Sequence, residues 1–277
     1  MADWEGIGKI ALLLRGAWLA ASLAVWGCIV WKLALTGRAT VSRVERQGVS
    51  WPGVPVCATF LAALLAPAFL LALADLVVPE LVPTLNQPAQ ALALIQWNLA
   101  MRVVQIAVIV GLLALAGPLR KQDFGCDLAT WHADLAIGTE GFLASAAPVF
   151  GVLVIVALLG WRSPDDKHPM LQVAQAGVGV ETLAWLALSV VVVAPLSEEL
   201  TYRVLLQGWL QSQLPAWQAI VITAGVFVVG HAEFDRLPLV PLALILGYVY
   251  YRRNSYLSVV VLHALFNAAN LAMAILQ

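Results

Sequence analysis

Long apolar runs limit this chain more than any other feature. They occupy residues of about 16–36, 54–79, 94–118, 138–161, 180–203, 216–232, 237–252 and 255–276. A run of about 18 or more apolar residues is long enough to cross a bilayer. In lipid each backbone amide and carbonyl needs a partner within the segment, which only a helix gives to a single run. The apolar/polar alternation of a barrel strand is absent. The expectation is an all-α polytopic transmembrane helical bundle of about eight spans. Composition agrees: 62% of the residues are hydrophobic and 11% charged, against about 45–50% and about 25% in soluble domains.

The connections are short and polar, as in "TGRATVSRVERQG", "GPLRKQDFGCD" and "WRSPDDKHPM". A net charge of −1 without a basic run speaks against a nucleic-acid partner. Membrane lipid is the expected surrounding, and a multi-pass cell-membrane protein the expected location. Cys28, Cys57 and Cys126 are too few and too scattered for a disulfide framework or a cysteine zinc site. They read as small buried fillers. Acidic residues precede the first run, which continues to about Leu35, so it reads as a retained span and not a cleaved signal. Trp31, Trp51, Trp161 and Trp217 lie near run ends, where interfacial anchors sit. With the N-terminus outside, the inner side holds Lys32, Arg38, Arg43, Arg46, Arg120, Lys121, Arg203, Arg252 and Arg253. The outer side holds Lys9, Arg15, Arg162, Lys167 and Arg236. Nine against five favours that orientation.

Ionisable groups inside spans are costly and mark function by default. In "VVVVAPLSEELTYRVLL", Glu199 and Arg203 are i and i+4 with the acid first, the favourable order for a helical ion pair. Glu198 points about 100° away and has no such partner, which suits a general base. An ordinary charged helix end is the competing reading. In "VFVVGHAEF", His231 follows Phe227 by four residues; a satisfied interfacial histidine is the alternative. In "VLHALFNAANL", His263 and Asn267 share a helix face. They suit carbonyl polarisation and oxyanion donation, or a polar clamp between helices. Asn98, Arg102 and Gln105 form an i, i+4, i+7 stripe in "WNLAMRVVQIAV". It suits a cavity lining, a headgroup contact or a buried contact between spans, and no catalytic role is assigned to it.

Spacing predicts that these places meet. Glu199 lies 16 residues before Pro215 and His231 lies 16 after it. Two antiparallel helical arms put both roughly 24 Å from the turn. The next hairpin, turning near "RRNS", returns His263 to within about one helical turn of that depth. A straight helix over 180–213 is too long for one crossing, so either Pro195 kinks it or residues 204–213 lie along the interface.

In order, "EELTYR" matches EExxxR, "FVVGH" matches FxxxH and "HALFN" matches HxxxN. The set resembles the CAAX-protease and bacteriocin-processing (CPBP, or Abi) family of intramembrane proteases, and is similar to type II CAAX prenyl proteases. It covers roughly residues 180–275. The implied division is 1–175 as helices of unassigned role and 176–277 as the catalytic membrane core. Val204 departs from the glycine that often follows the arginine. The resemblance implies an endopeptidase acting on a membrane-associated or prenylated CAAX-type peptide or protein. Glu198 would activate water, with Glu199 and Arg203 supporting it. His231 would hold the water, and His263 and Asn267 would orient water or substrate and form the oxyanion site. Eukaryotic relatives trim prenylated tails; a bacterial-type chain would process a membrane peptide or a tail anchor. No cofactor is required on the favoured reading, although two histidines and a glutamate also suit zinc. A catalytically silent scaffold or bacteriocin-immunity protein of the same fold is the alternative.

Overall fold

A computed structural model describes residues 4–44, 49–78, 91–127, 129–161, 169–175, 178–231 and 236–276. Arg46, Arg162 and Lys167 of the charge comparison lie outside them. Among the described residues the chain is all helical. The helices are α1 (Trp4–Thr36), α2 (Gly53–Val77), α3 (Ala91–Ala116), α4 (Trp131–Leu158), α5 (Pro169–Gln175), α6 (Val180–Gln213), α7 (Ala216–Val229), α8 (Arg236–Arg253) and α9 (Tyr256–Ile275).

All eight apolar runs are helical, and six helices are long and apolar enough to span: α1 to α4, α6 and α9. The other two fall short for local reasons. Helix α7 has only 14 residues before Gly230 ends it, and α8 carries Arg236, Arg252 and Arg253 at its ends.

Helix α4 lies at the centre, against α1, α8 and α9. Its approach to α9 needs small residues: a Cβ at Gly138 would lie 2.6 Å from the Ser258 carbonyl oxygen. Pro148 lacks the amide that would bond to the Ala144 carbonyl one turn back. Two donors on α1 take that carbonyl instead, Ser22 Oγ at 3.0 Å and Trp26 Nε1 at 2.9 Å. A proline-freed group in lipid is thus capped by the neighbouring helix. Trp18 of α1 stacks on Phe142 and meets Phe150 and Phe266 edge-on.

One end of the bundle is stitched by polar contacts. Arg252 forks onto the Val41 carbonyl with Nε at 2.9 Å and Nη2 at 2.6 Å. Tyr256 N donates to Gly125 O, and Ser50 Oγ donates to Asp123 Oδ2. The buried Arg253–Asp134 pair closes at 2.7 Å. The loops after α1, α3 and α8 therefore share one face.

Two expectations change. The three cysteines are exposed, not buried. Cys28 and Cys57 lie on the outer surface of lipid-length helices, where apolar surroundings are supplied by the bilayer. Trp31, Trp161 and Trp217 are exposed as anchors should be, but Trp51 is buried and packs edge-on against Phe124.

Candidate active site

Helix α6 carries the two adjacent acids. It is helical without interruption from Val180 through Pro195 to Gln213. Two stretches, Leu188–Val193 and Leu200–Gln207, are wound as π-helix. Wide turns of this kind gather at functional positions. In the first stretch Ala194 N donates to Ser189 O, five residues back. The next bond in that register would run from residue 195 to the Val190 carbonyl. Pro195 has no amide to give. Asn267 of α9 supplies the missing donor, its Nδ2 reaching Val190 O at 2.9 Å.

Glu199, Arg203 and His263 form a dry relay. Arg203 Nε donates to Glu199 Oε2 at 3.1 Å, and both side chains are fully buried. His263 Nδ1 lies 2.7 Å from Glu199 Oε1. A carboxylate only accepts, so Nδ1 of His263 carries the hydrogen, leaving the lone pair of the neutral ring on Nε2. His231 is fixed the same way: its Nδ1 donates to the Phe227 carbonyl at 2.7 Å. Phe227 is fully buried between these groups. Its ring lies 4.5 Å from that of His231 and 6.0 Å from that of His263, and the Arg203 guanidinium sits 5.2 Å from its centroid. Nη1 and Nη2 of Arg203 have no hydrogen-bond partner among the described residues, so this aromatic face is their electrostatic contact.

Both free imidazole nitrogens face one atom. His231 Nε2 and His263 Nε2 each lie 3.8 Å from Glu198 Oε2. That is too long for a direct hydrogen bond. Three nitrogen and oxygen atoms converge there, an arrangement suited to a shared water or to a cation.

The structure thus brings Glu198, Glu199, Arg203, His231 and His263 together. Asn267 stands one turn beyond His263, with its amide on the Val190 carbonyl. One expectation is corrected: Glu198 does have an ionic partner. Arg102 Nη2 of α3 lies 2.9 Å from Glu198 Oε1. The rest of the polar stripe also meets α6. Gln105 Nε2 donates to Thr201 Oγ1 at 3.3 Å, and Asn98 Oδ1 lies 3.5 Å from Ser189 Oγ. An arginine in mid-span was the available signal for a role at the site. Its partner was hidden because the two lie 96 residues apart.

A zinc ion would also draw on the two imidazoles and a glutamate. Among the described residues no group of three or more His, Cys, Asp or Glu is placed to hold a metal ion. The Arg102 guanidinium already gives Glu198 a positive charge at contact distance.

Residues 180–269 match the family model described as Rce1-like, type II CAAX prenyl endopeptidase Rce1-like. The matched stretch holds the two acids, both histidines and Asn267, and ends before the carboxyl terminus; α3 with Arg102 lies outside it. The match supports assignment to the CAAX-protease and bacteriocin-processing family. Neither the curated proteins nor the solved structures give a match.

Proposed function

We propose that this CAAX-protease-family chain is an intramembrane endopeptidase that hydrolyses a peptide bond of a membrane-associated or prenylated peptide or protein, with Glu198 as the base that activates water. The observation that carries the reading is the pair of tautomer-fixed imidazoles aimed at a single oxygen of Glu198, 3.8 Å from each. A water placed among these atoms gives one hydrogen to Glu198 and the other to a histidine, and turns its own lone pair outward.

The step balances simply. Glu198 takes a proton from water as the oxygen attacks the scissile carbonyl carbon. The carbonyl becomes an oxyanion. Collapse breaks the C–N bond, and protonated Glu198 returns its proton to the leaving amine. Asn267 has two hydrogens on Nδ2, of which Val190 O takes one. The other is the donor offered to the oxyanion. Glu199 and Arg203 act through His263, holding its ring and tautomer. No metal takes part.

The test is purified protein in lipid vesicles with a membrane-anchored peptide, comparing wild type with Glu198→Gln. Loss of cleavage by about 10³-fold or more, in a variant that stays folded, is expected. A chelator should leave the wild-type rate unchanged. Undiminished turnover in Glu198→Gln overturns the base. A biological effect that survives the substitution favours a silent scaffold or immunity protein of the same fold.

A further inference from the structure

Away from the acids and histidines, a cavity of about 790 Å³ opens at the end of the bundle where α1 and α8 finish. It is lined by Lys32 and Thr36 near the end of α1, by Arg38, Thr40 and Ser42 of the connection after it, and by Arg252 in the last turn of α8. Three of these are cations, and no acid lines the cavity among the described residues. Like charges gathered round one open space repel each other, and an anion in that space removes the repulsion. Elsewhere the bundle supplies the anion itself: Arg102 has Glu198, Arg203 has Glu199 and Arg253 has Asp134. Local bonds leave these three cations with capacity to spare. Arg252 sets Nε and Nη2 on the Val41 carbonyl, a neutral acceptor that orients the guanidinium without cancelling its charge. Lys32 Nζ has one long contact, 3.4 Å to the Thr40 carbonyl, out of the three donors an ammonium offers. The Arg38 amide donates to Thr36 Oγ1 at 3.2 Å, which fixes the root of a side chain whose guanidinium has no partner among the described residues. Cations near helix C-termini also suit the helix dipole. That role asks for contact with the end carbonyls of a helix, whereas Arg252 and Lys32 both reach carbonyls of the connection, beyond α1.

Independently of the endopeptidase reading, we propose that this cavity binds the phosphate of an anionic phospholipid headgroup. Depth and surroundings favour a lipid over a soluble phosphate. Helix α1 is long enough to span, and Val30, Trp31, Leu33 and Leu35 near its end are each more than half exposed. Hydrocarbon therefore reaches the turn that carries Lys32. A headgroup phosphate lies just outside that hydrocarbon, within reach of a lysine that snorkels and of the polar connection beyond it. Trp31, the neighbour of Lys32, is exposed as an interfacial anchor is. Basic pockets between spans hold anionic headgroups in this way. The lining comes from α1, the connection and α8, so one phosphate ties all three together. It clamps the first span to the helix that leads into α9 and His263. The lipid is held there as a fastener and is not a substrate.

Counting bound lipid tests this. Full-length protein, stripped of lipid in a neutral detergent, is titrated with phosphatidylglycerol or with phosphatidylcholine and read by native mass spectrometry. The first phosphatidylglycerol is expected to bind about tenfold or more tightly than the first phosphatidylcholine. Lys32→Gln and Arg38→Gln should each weaken that first site about fivefold, the effect of one cation beside an anionic lipid, and leave phosphatidylcholine unchanged. Both side chains are exposed and take no part in the Arg252–Val41 bond, so neither substitution disturbs the packing. Arg38→Lys, which keeps the charge, should retain most of the affinity. Arg120→Gln is the control: it removes an exposed cation from the loop after α3, on the same face but outside the cavity, and should leave the first site as it is. An equal loss in Arg120→Gln, or no preference for the anionic lipid, overturns the proposal, since either result describes a diffusely charged face. Inorganic phosphate decides the source. At the concentration of the lipid it should not displace phosphatidylglycerol; displacement assigns the cavity to a soluble phosphate and overturns the lipid as its occupant. Thermal melting gives a second reading, because a ligand of the folded state raises Tm. Phosphatidylglycerol should raise Tm in wild type and less in the Lys32→Gln, Arg38→Gln double variant, and an equal rise in both counts against the site.

Discussion

Glu199 is a fully buried charge held on both of its oxygens. It accepts from Arg203 on one oxygen and from His263 on the other, with no exposure of its own. Glu199→Gln keeps the shape and removes the charge. Arg203 is then a buried cation without its counter-ion, and such a break costs about 3–5 kcal/mol. An amide can also offer His263 a donor instead of an acceptor, releasing the tautomer that aims Nε2 at Glu198. The expected result is a folded-state loss of that size by reversible denaturation in mixed micelles, with cleavage down by about 10²-fold or more in whatever protein stays folded. Retention of full stability would remove Glu199 from the relay. At this scale the sequence was informative for local pairs. The i,i+4 spacing of Glu199 and Arg203 and the Phe227–His231 spacing were both legible. The bond from Arg102 to Glu198 was not, because helix periodicity says nothing about which face of α3 meets α6.

Proline and its freed carbonyl explain how two of the long helices dock. Pro148 releases Ala144 O to Ser22 and Trp26; Pro195, in its π-wound turn, releases Val190 O to Asn267. Each contact is written in two places at once, a missing amide on one helix and a spare donor on another. A double-mutant cycle tests the second. Asn267→Ala should cost about 1–2 kcal/mol by leaving a carbonyl unsatisfied. In a Pro195→Ala background the new backbone amide takes Val190 O, and the same substitution should cost much less. Activity separates the roles of Asn267. Loss that Pro195→Ala does not restore marks an oxyanion donor, and loss that it restores marks a tether alone. The sequence offered a kink at Pro195 or an interfacial 204–213; the structure adds π-wound turns on both sides of the proline, which a rule based on 3.6 residues per turn does not anticipate.

Over the whole molecule, the loops after α1, α3 and α8 meet on one face, as the loop charges led one to expect. Cys126, in the loop after α3, is the reporter for it. Its side chain is exposed, yet partial desolvation in the folded loop pushes its thiol up, so less thiolate is present at neutral pH than at an ordinary cysteine. An impermeant maleimide should label Cys126 slowly at pH 7. The rate should still climb above about pH 8.5, the usual thiol value. Labelling should come from the same side as at Ser42→Cys, which lies beside the Arg252 strap. Opposite sides would break the topology. The number of spans was harder to read than their existence, since the apolar run of α7 looks long in sequence and measures 14 residues in the fold. That brevity has a consequence. At about 1.5 Å per residue, α7 rises roughly 21 Å from Pro215 and stops, with His231 at its tip, short of the roughly 30 Å that hydrocarbon spans. On the proposed endopeptidase reading, a stub of fixed height acts as a ruler for how far below the lipid surface a target's backbone must be unwound.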